Sequence, residues 1–173
     1  MRARDWYFQG WERREDETGK KILVYTGEYY ELPEGKAKLI TGVMTGALAC
    51  VYLSAALFPS EGGMWHIAAI PQLVEMIPLI YLVLGFLCLC AAKQPMTFRA
   101  YYSSWRRMKT ASVWSAAFTA GMCIVEIVYP FIAESPALLP ELWFLARLAA
   151  CLALSVGLVF YFRSHTCPQI VKQ

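Results

Sequence analysis

The sequence predicts an all-α membrane protein: a four-transmembrane-helix bundle with up-down-up-down topology and a small cytoplasmic N-terminal β-hairpin or meander. The first reason is composition, since 58% of the 173 residues are hydrophobic and the mean hydropathy of +0.41 is too apolar for an ordinary soluble domain. The second reason is distribution. The apolar residues form four segments, at about 39–58, 67–92, 110–133 and 142–162, each long enough to cross about 30 Å of hydrocarbon as a helix.

The placement of basic residues is the third reason, and it predicts an orientation. Of the sixteen Lys and Arg residues, eight precede the first helix, five lie in the loop 93–109 and two follow the fourth helix. The other two connections contain Glu61, Glu134 and Glu141 and no basic residue. Because cytoplasmic loops carry an excess of Lys and Arg, we expect a multi-pass protein of the cell membrane with both termini in the cytoplasm.

Residues 1–36 form a polar, aromatic leader that precedes the first helix. Short aromatic or β-branched runs alternate with the turn signals Thr18-Gly19 and Thr26-Gly27, which predicts a small meander. About 30 residues bury too little surface to fold alone, so the strands must contact the membrane, the loop 93–109 or a partner. The alternative is a partly disordered tail with interfacial aromatics. No apolar core of a cleavable signal peptide is visible, so the first helix is expected to direct insertion.

The first helix, 39–58, carries a stripe of small residues. Gly42, Gly46, Cys50 and Ser54 recur every four residues and open with a G-x-x-x-G motif. Small residues let another helix approach closely where lipid offers no hydrophobic driving force. The stripe therefore predicts either packing within the bundle or formation of a homodimer.

The second helix, 67–92, contains one carboxylate between two prolines. Pro71, Glu75 and Pro78 share one helical face. Each proline removes a backbone donor, which leaves the carbonyls of Ile67 and Val74 without their helical partners. A carboxylate beside such carbonyls at membrane depth must find its partners inside the protein.

The loop 93–109 is the most basic part of the chain. From Thr97 onward its aromatic residues favour one side of a helix and its basic residues the other, which predicts an interfacial helix or an extension of the third helix. Its cations are expected to contact anionic lipid head groups: Arg99, Arg106, Arg107 and Lys109. Nucleic-acid binding is not expected, because acidic residues balance the basic ones of the leader and the loop should lie against lipid.

The third and fourth helices each add one charge to the membrane interior. Glu126 and Arg147, like Glu75, lie roughly 7 to 12 Å beneath the outer surface when helical rise is counted. An isolated charge at this depth costs at least about 2.5 to 3.5 kcal/mol, so we expect the three side chains to pair. The resulting cluster is a candidate ligand- or ion-binding site, or a structural clamp that sets helix register.

The cysteines and histidines indicate no catalytic or metal site. Cys50, Cys88, Cys90, Cys123 and Cys151 lie within predicted helices, which favours packing over disulfides. A zinc site built from Cys88, Cys90, His165 and Cys167 is disfavoured, because residues i and i+2 point to different sides of a helix. No motif of a hydrolase or zinc peptidase is present. We expect no bound metal and no cofactor.

Together these features predict a non-enzymatic accessory or scaffold subunit. Its expected partners are membrane lipids and either a second copy or a partner membrane protein. The alternative is a small transporter or ligand-binding membrane component that works through Glu75, Glu126 and Arg147. The bundle is expected to occupy residues 37–163, and the tail 164–173 is expected to be flexible.

Overall fold

The computed structural model describes residues 10–15, 21–33, 35–58, 60–64, 66–132 and 138–170. It is mostly helical. The helices are α1 (Ala37–Leu57), the single turn α2 (Glu61–Met64), α3 (His66–Ala91), α4 (Phe98–Ile132) and α5 (Leu138–Ser164). All but α2 are long and apolar enough to cross a membrane, which confirms the prediction of four spanning helices. The chain is therefore a multi-pass membrane protein.

The four long helices pack side by side in a square. Helix α1 contacts α3 and α5, and α4 contacts the same two helices. Lys38, near the start of α1, donates hydrogen bonds to the carbonyls of Cys90 and Ala92 at the end of α3, at 3.4 and 3.3 Å. Neighbouring helices in sequence thus run antiparallel. We call the end that holds the loop 93–97 the basic end, and the end that holds Ser60 and Glu141 the acidic end.

Helix α1 packs on the bundle mainly through a face beside the small-residue stripe, for which packing within the bundle and homodimer formation were the two predicted roles. Its buried residues recur at intervals of three and four: Ala37, Thr41, Thr45, Leu48, Tyr52 and Ala55. The stripe lies beside this face and only its two ends touch other helices. A Cβ on Gly42 would lie 2.6 Å from the ring of Phe86, whereas Gly46 and Cys50 are exposed.

Helix α4 begins about twelve residues earlier than the predicted third helix. It spans 35 residues, about 52 Å at 1.5 Å per residue, because most of the segment predicted as a loop continues the helix. The Thr97 side chain caps its start by accepting a hydrogen bond from the Ala100 amide. Residues Tyr102–Arg106 form one π-helical turn. Of the two alternatives for this segment, the structure has the extension of the third helix.

Short strands cover the basic end. Strands β1 (Trp11–Glu15) and β2 (Lys21–Tyr25) pair antiparallel. Strand β3 (Tyr29–Tyr30) pairs antiparallel with both β4 (Met96–Thr97) and β5 (Gln169–Ile170). Three segments distant in sequence are thereby joined in one small sheet, and the prediction of a flexible tail did not anticipate β5.

Aromatic packing joins this sheet to the bundle. The ring of Tyr30 stacks on that of Tyr101 with 4.2 Å between centroids and 6° between planes. The Tyr25 hydroxyl accepts a hydrogen bond from the Phe98 amide at 2.9 Å. Beneath the sheet, Trp105 and Phe162 are fully buried and meet edge to face at 4.9 Å. The leader is thus anchored to the start of α4 and, through β5, to the tail that follows α5.

Candidate functional site

Glu75 lies inside the bundle on the face of α3 that packs against α4. Its side chain is 1% exposed, and Pro71 and Pro78 lie within the same helix. The Thr119 hydroxyl donates a hydrogen bond to Glu75 Oε1 at 2.5 Å, and the Ser115 hydroxyl donates to the same oxygen at 3.2 Å. Glu75 Oε2 has no hydrogen-bond partner among the described residues. One oxygen of this carboxyl group can therefore still take a proton or a small cation.

The hydroxyl groups around Glu75 form a network that links three helices. Ser115 on α4 and Ser155 on α5 are fully buried, and their hydroxyl oxygens lie 3.0 Å apart. The Thr119 hydroxyl also lies 2.8 Å from the Ser115 carbonyl, which can accept its single hydrogen in place of Glu75. Each hydroxyl therefore has a partner besides Glu75, so this network does not depend on the carboxylate alone.

Glu126 belongs to a second polar group at the acidic end. The Ser60 hydroxyl, which precedes α2, donates a hydrogen bond to Glu126 Oε1 at 2.9 Å. The same hydroxyl accepts a hydrogen bond from the Gly63 amide at 2.9 Å. Glu126 also interacts with the carboxyl group of Glu141, which is buried in the first turn of α5. Two buried carboxyl groups therefore lie side by side at the acidic end of the bundle.

Arg147 binds backbone rather than carboxylates. Its Nη1 donates a hydrogen bond to the Ser54 carbonyl of α1 at 2.7 Å, and its Nε donates to the Trp143 carbonyl at 3.3 Å. Ser54 lies in the last turn of α1, where the helix dipole places partial negative charge, and its carbonyl also accepts a hydrogen bond from the Phe58 amide at 3.3 Å. The guanidinium group thus adds a second donor to a carbonyl at the negative end of the α1 dipole.

The predicted pairing of three membrane charges is therefore corrected. Glu75 and Glu126 lie in separate polar groups, and no ion pair joins Arg147 to either of them in the described part of the chain. The physical reason is that serine and threonine hydroxyls solvate the carboxyl groups, while the α1 carbonyls solvate the guanidinium group. Each of the three charged groups therefore has a polar partner that is nearer than the other two charged groups.

Three of the four predicted head-group residues lie along a groove between α3 and α4. This groove has a volume of about 710 Å³. Arg99, Arg106 and Arg107 line it, whereas Lys109 lies outside it on the exposed side of α4. The groove continues past these cations between apolar side chains of both helices.

The cysteines are free and scattered over the described helices. Among those same residues, no three His, Cys, Asp or Glu side chains come together as metal ligands. Cys167, in the tail outside the spans, is half-buried, and this burial raises the pKa of its thiol to about 12. Cys50 and Cys90 are the exposed thiols of the described chain.

Sequence reasoning missed several residues of these groups. Ser115, Thr119 and Ser155 belong to the Glu75 group, and Ser60 and Glu141 to the Glu126 group. The signal that could have identified Ser115 and Thr119 is a hydroxyl inside a spanning helix, which indicates a buried polar partner. Glu141 was assigned to the connection before the fourth helix, and nothing in the sequence pairs it with Glu126.

Comparisons of this chain with protein-family models, curated proteins and solved structures give no match.

Proposed function

We propose that this chain is a non-enzymatic accessory subunit that associates with another membrane helix through Gly46 and Cys50. The observation that carries the proposal is the position of Gly46. It is exposed, and within the described chain nothing beyond its own helix lies within 4 Å of where its Cβ would be. Cys50 is exposed one turn further along. Small residues at this spacing let two helix backbones approach closely in lipid.

The proposed location is the cell membrane, with both termini in the cytoplasm. The distribution of charge supports this orientation. The basic end gathers Lys38, Lys93, Arg99 and Arg163, whereas buried Glu126 and Glu141 lie at the acidic end. Basic residues near the ends of spans are retained on the cytoplasmic side during insertion.

The N-terminal hairpin supports a role in contacting a partner protein. Strands β1 and β2 pair only with each other among the described residues. An isolated two-stranded ladder is marginally stable at best in water, so it gains stability when a further surface covers it. We propose that the hairpin lies in the cytoplasm and contacts the same partner as the Gly46 face.

The first prediction tests this face by crosslinking. Oxidation of membranes that contain the full chain is expected to give a Cys50-dependent disulfide product, either a homodimer or a larger adduct. Gly46→Leu should reduce its yield to background, because the added side chain separates the two backbones. Gel electrophoresis without reducing agent measures the product.

Two variants serve as controls. Gly121 is exposed on α4 with nothing within 4 Å of its Cβ position, so Gly121→Leu should leave the yield unchanged. Cys50→Ser should abolish the product, whereas Cys90→Ser should leave its yield unchanged, because the other exposed thiol, Cys90, lies at the basic end of α3. An undiminished yield in Gly46→Leu would contradict the accessory role argued here.

A second candidate function is a proton- or cation-linked transport step at Glu75. The observation that favours it is the unpartnered Oε2 oxygen of a carboxyl group that is 1% exposed. Pro78 supports it further, because its missing amide leaves the carbonyl of Val74, the residue directly before Glu75, without its usual helical donor. Transporters place their sites where interrupted helices supply such carbonyls near the middle of the membrane.

The second prediction follows from this alternative. In proteoliposomes with a pH gradient, the wild-type chain is expected to carry a proton flux that Glu75→Gln abolishes, because the amide has the same shape but takes up no proton. Glu61→Gln is the matched control, since Glu61 is exposed on α2. Equal flux through wild-type, Glu75→Gln and empty vesicles would exclude the transport function.

A further inference from the structure

The groove between α3 and α4 is polar at one end and apolar at the other. Its polar end is formed by Arg99, Arg106 and Arg107 together with Tyr102 and Ser103. Its apolar part is lined by residues from both helices: Val74, Ile77, Pro78, Tyr81, Ala111, Trp114 and Phe118. The lining contains three cationic side chains and no acidic one. A ligand that fits must therefore be anionic at one end and hydrocarbon along its length.

Aromatic rings hold two of the three guanidinium groups in place. Arg106 lies over the ring of Tyr102 at 4.7 Å, and Arg107 lies over the ring of Tyr81 on α3 at 5.4 Å. No carboxylate of the described residues forms an ion pair with Arg106 or Arg107. Cation–π contacts orient a guanidinium group without neutralising it. Both side chains therefore keep their capacity for bidentate binding of a phosphate group.

The groove has the length of one membrane leaflet. From Arg107 to Phe118 the helix rises eleven residues, which is about 16 Å at 1.5 Å per residue. Half of the hydrocarbon core measures about 15 Å. On the antiparallel α3, Tyr81 lies opposite Arg107, and Val74 lies seven residues deeper, about 10 Å along the axis. Cations at the interface and an apolar floor near the midplane match the dimensions of a single lipid.

The π-helical turn lies at the polar end of this groove. It spans Tyr102–Arg106 and places Tyr102, Ser103 and Arg106 in the lining. A π-turn widens the helix by one residue at a cost in hydrogen-bond geometry, and such turns occur frequently at functional sites. Ser104 and Trp105, on the opposite side of the same turn, are buried in the bundle. The buried side of the turn is therefore packed in the bundle, while Arg106 on its other side faces the groove.

We propose that this groove binds one anionic phospholipid, with the phosphate at Arg99, Arg106 and Arg107 and an acyl chain along Val74, Ile77, Trp114 and Phe118. The inference goes beyond the accessory role, because it depends on neither Gly46 nor Glu75. A bound lipid would fill the groove between α3 and α4, which no side chain of the described residues fills.

Native mass spectrometry of the full chain in a non-ionic detergent tests the proposal. Phosphatidylglycerol is expected to bind at least about tenfold more tightly than phosphatidylcholine with the same acyl chains, since each basic side chain adds on the order of a fewfold in affinity. Glycerophosphate at the same concentration should not displace it, because it lacks the chain. Both comparisons use the wild-type protein and do not depend on any variant folding.

Matched variants then test each end of the groove. Replacing Arg99, Arg106 and Arg107 together by Gln should remove the preference for phosphatidylglycerol, whereas Arg163→Gln, at the same end of the bundle but outside the lining, should preserve it. Val74→Trp should weaken binding of both lipids, because the larger side chain fills the groove. Leu73→Trp should not weaken binding, because the neighbouring residue Leu73 is exposed and lies outside the lining. The proposal would be overturned if the two lipids bound with equal affinity or if glycerophosphate bound as tightly as lipid. It would also be overturned if the test and control variants lost the same amount of lipid affinity.

Discussion

Replacing Glu75 with leucine is expected to stabilise the bundle rather than weaken it, raising the free energy of unfolding by up to about 3 kcal/mol. The expectation follows from what each partner of Glu75 keeps. Ser115 retains the hydroxyl of Ser155 at 3.0 Å, and Thr119 retains the Ser115 carbonyl at 2.8 Å. The substitution therefore leaves neither hydroxyl without a hydrogen-bond partner. It also removes a carboxyl group whose Oε2 has no partner in the described chain.

Reversible unfolding in mixed micelles measures this change. The informative control is Ser155→Ala, which removes one hydroxyl of the same network while Glu75 keeps both of its donors. It should cost about 0.5 to 1.5 kcal/mol, as expected for one hydrogen bond. If Glu75→Leu instead loses about 2 kcal/mol or more, Glu75 is a structural tie between α3 and α4, and the transport alternative loses its main support.

A stabilised Glu75→Leu variant would bear on function directly. Buried carboxyl groups inside membranes are expensive, so a chain that is more stable without one retains it for another reason. Combined with the flux measurement on Glu75→Gln, the result separates the two proposed functions. Stabilisation with no loss of flux would favour the accessory role, in which the carboxyl group takes no part.

The four spans could be predicted from sequence because each is a long apolar run with few competing interpretations. The predicted bounds differ from the observed ones by a few residues, except at α4, which begins at Phe98 rather than near residue 110. That difference has a physical cause. Local helix propensity and the Thr97 cap extend the helix beyond the apolar run, and hydropathy does not report this.

The partners of the buried charges could not be predicted in the same way. Charges at similar depth indicate pairing only when no other polar group is nearer, and Arg147 binds the Ser54 carbonyl. Every residue has a carbonyl, so a backbone acceptor leaves no mark in the sequence. The same holds for Lys38, which binds carbonyls at the end of α3. Both cations bind carbonyls at the negative end of a neighbouring helix, a role that depends on tertiary packing.

The small-residue stripe of α1 shows a further limit of pattern reading. Gly42 and Gly46 form a recognisable motif, yet the face that packs is defined by Thr41, Thr45 and Leu48. A motif of small residues indicates that another helix can approach closely, but it does not indicate which helix does so. Only the positions of α3 and α5 decide that Gly42 lies under Phe86 while Gly46 faces outward.

Gly85→Leu is expected to cause the largest loss of stability among single glycine substitutions in the spans, at least about 3 kcal/mol, because α3 and α4 come into closest contact there. A Cβ on Gly85 would lie 2.6 Å from Met108 Cγ and 3.3 Å from the Ser104 carbonyl oxygen. Met108 is fully buried, and Ser104 belongs to the π-helical turn, so neither can move without disturbing the core. Overpacking of this kind costs about 1 to 3 kcal/mol for modest insertions, and leucine adds more than one methylene.

The matched variant Gly121→Leu distinguishes this packing argument from a general intolerance of glycine replacement. Gly121 is exposed on α4 with no atom within 4 Å of its Cβ position, so leucine there should be neutral or slightly stabilising through higher helix propensity. Unfolding midpoints in detergent should therefore fall sharply for Gly85→Leu and stay constant or rise for Gly121→Leu. Similar midpoints for both variants would mean that α3 and α4 are further apart than described. The proposed lipid groove would then be in doubt as well, because its two sides are formed by α3 and α4 at the described distance from each other.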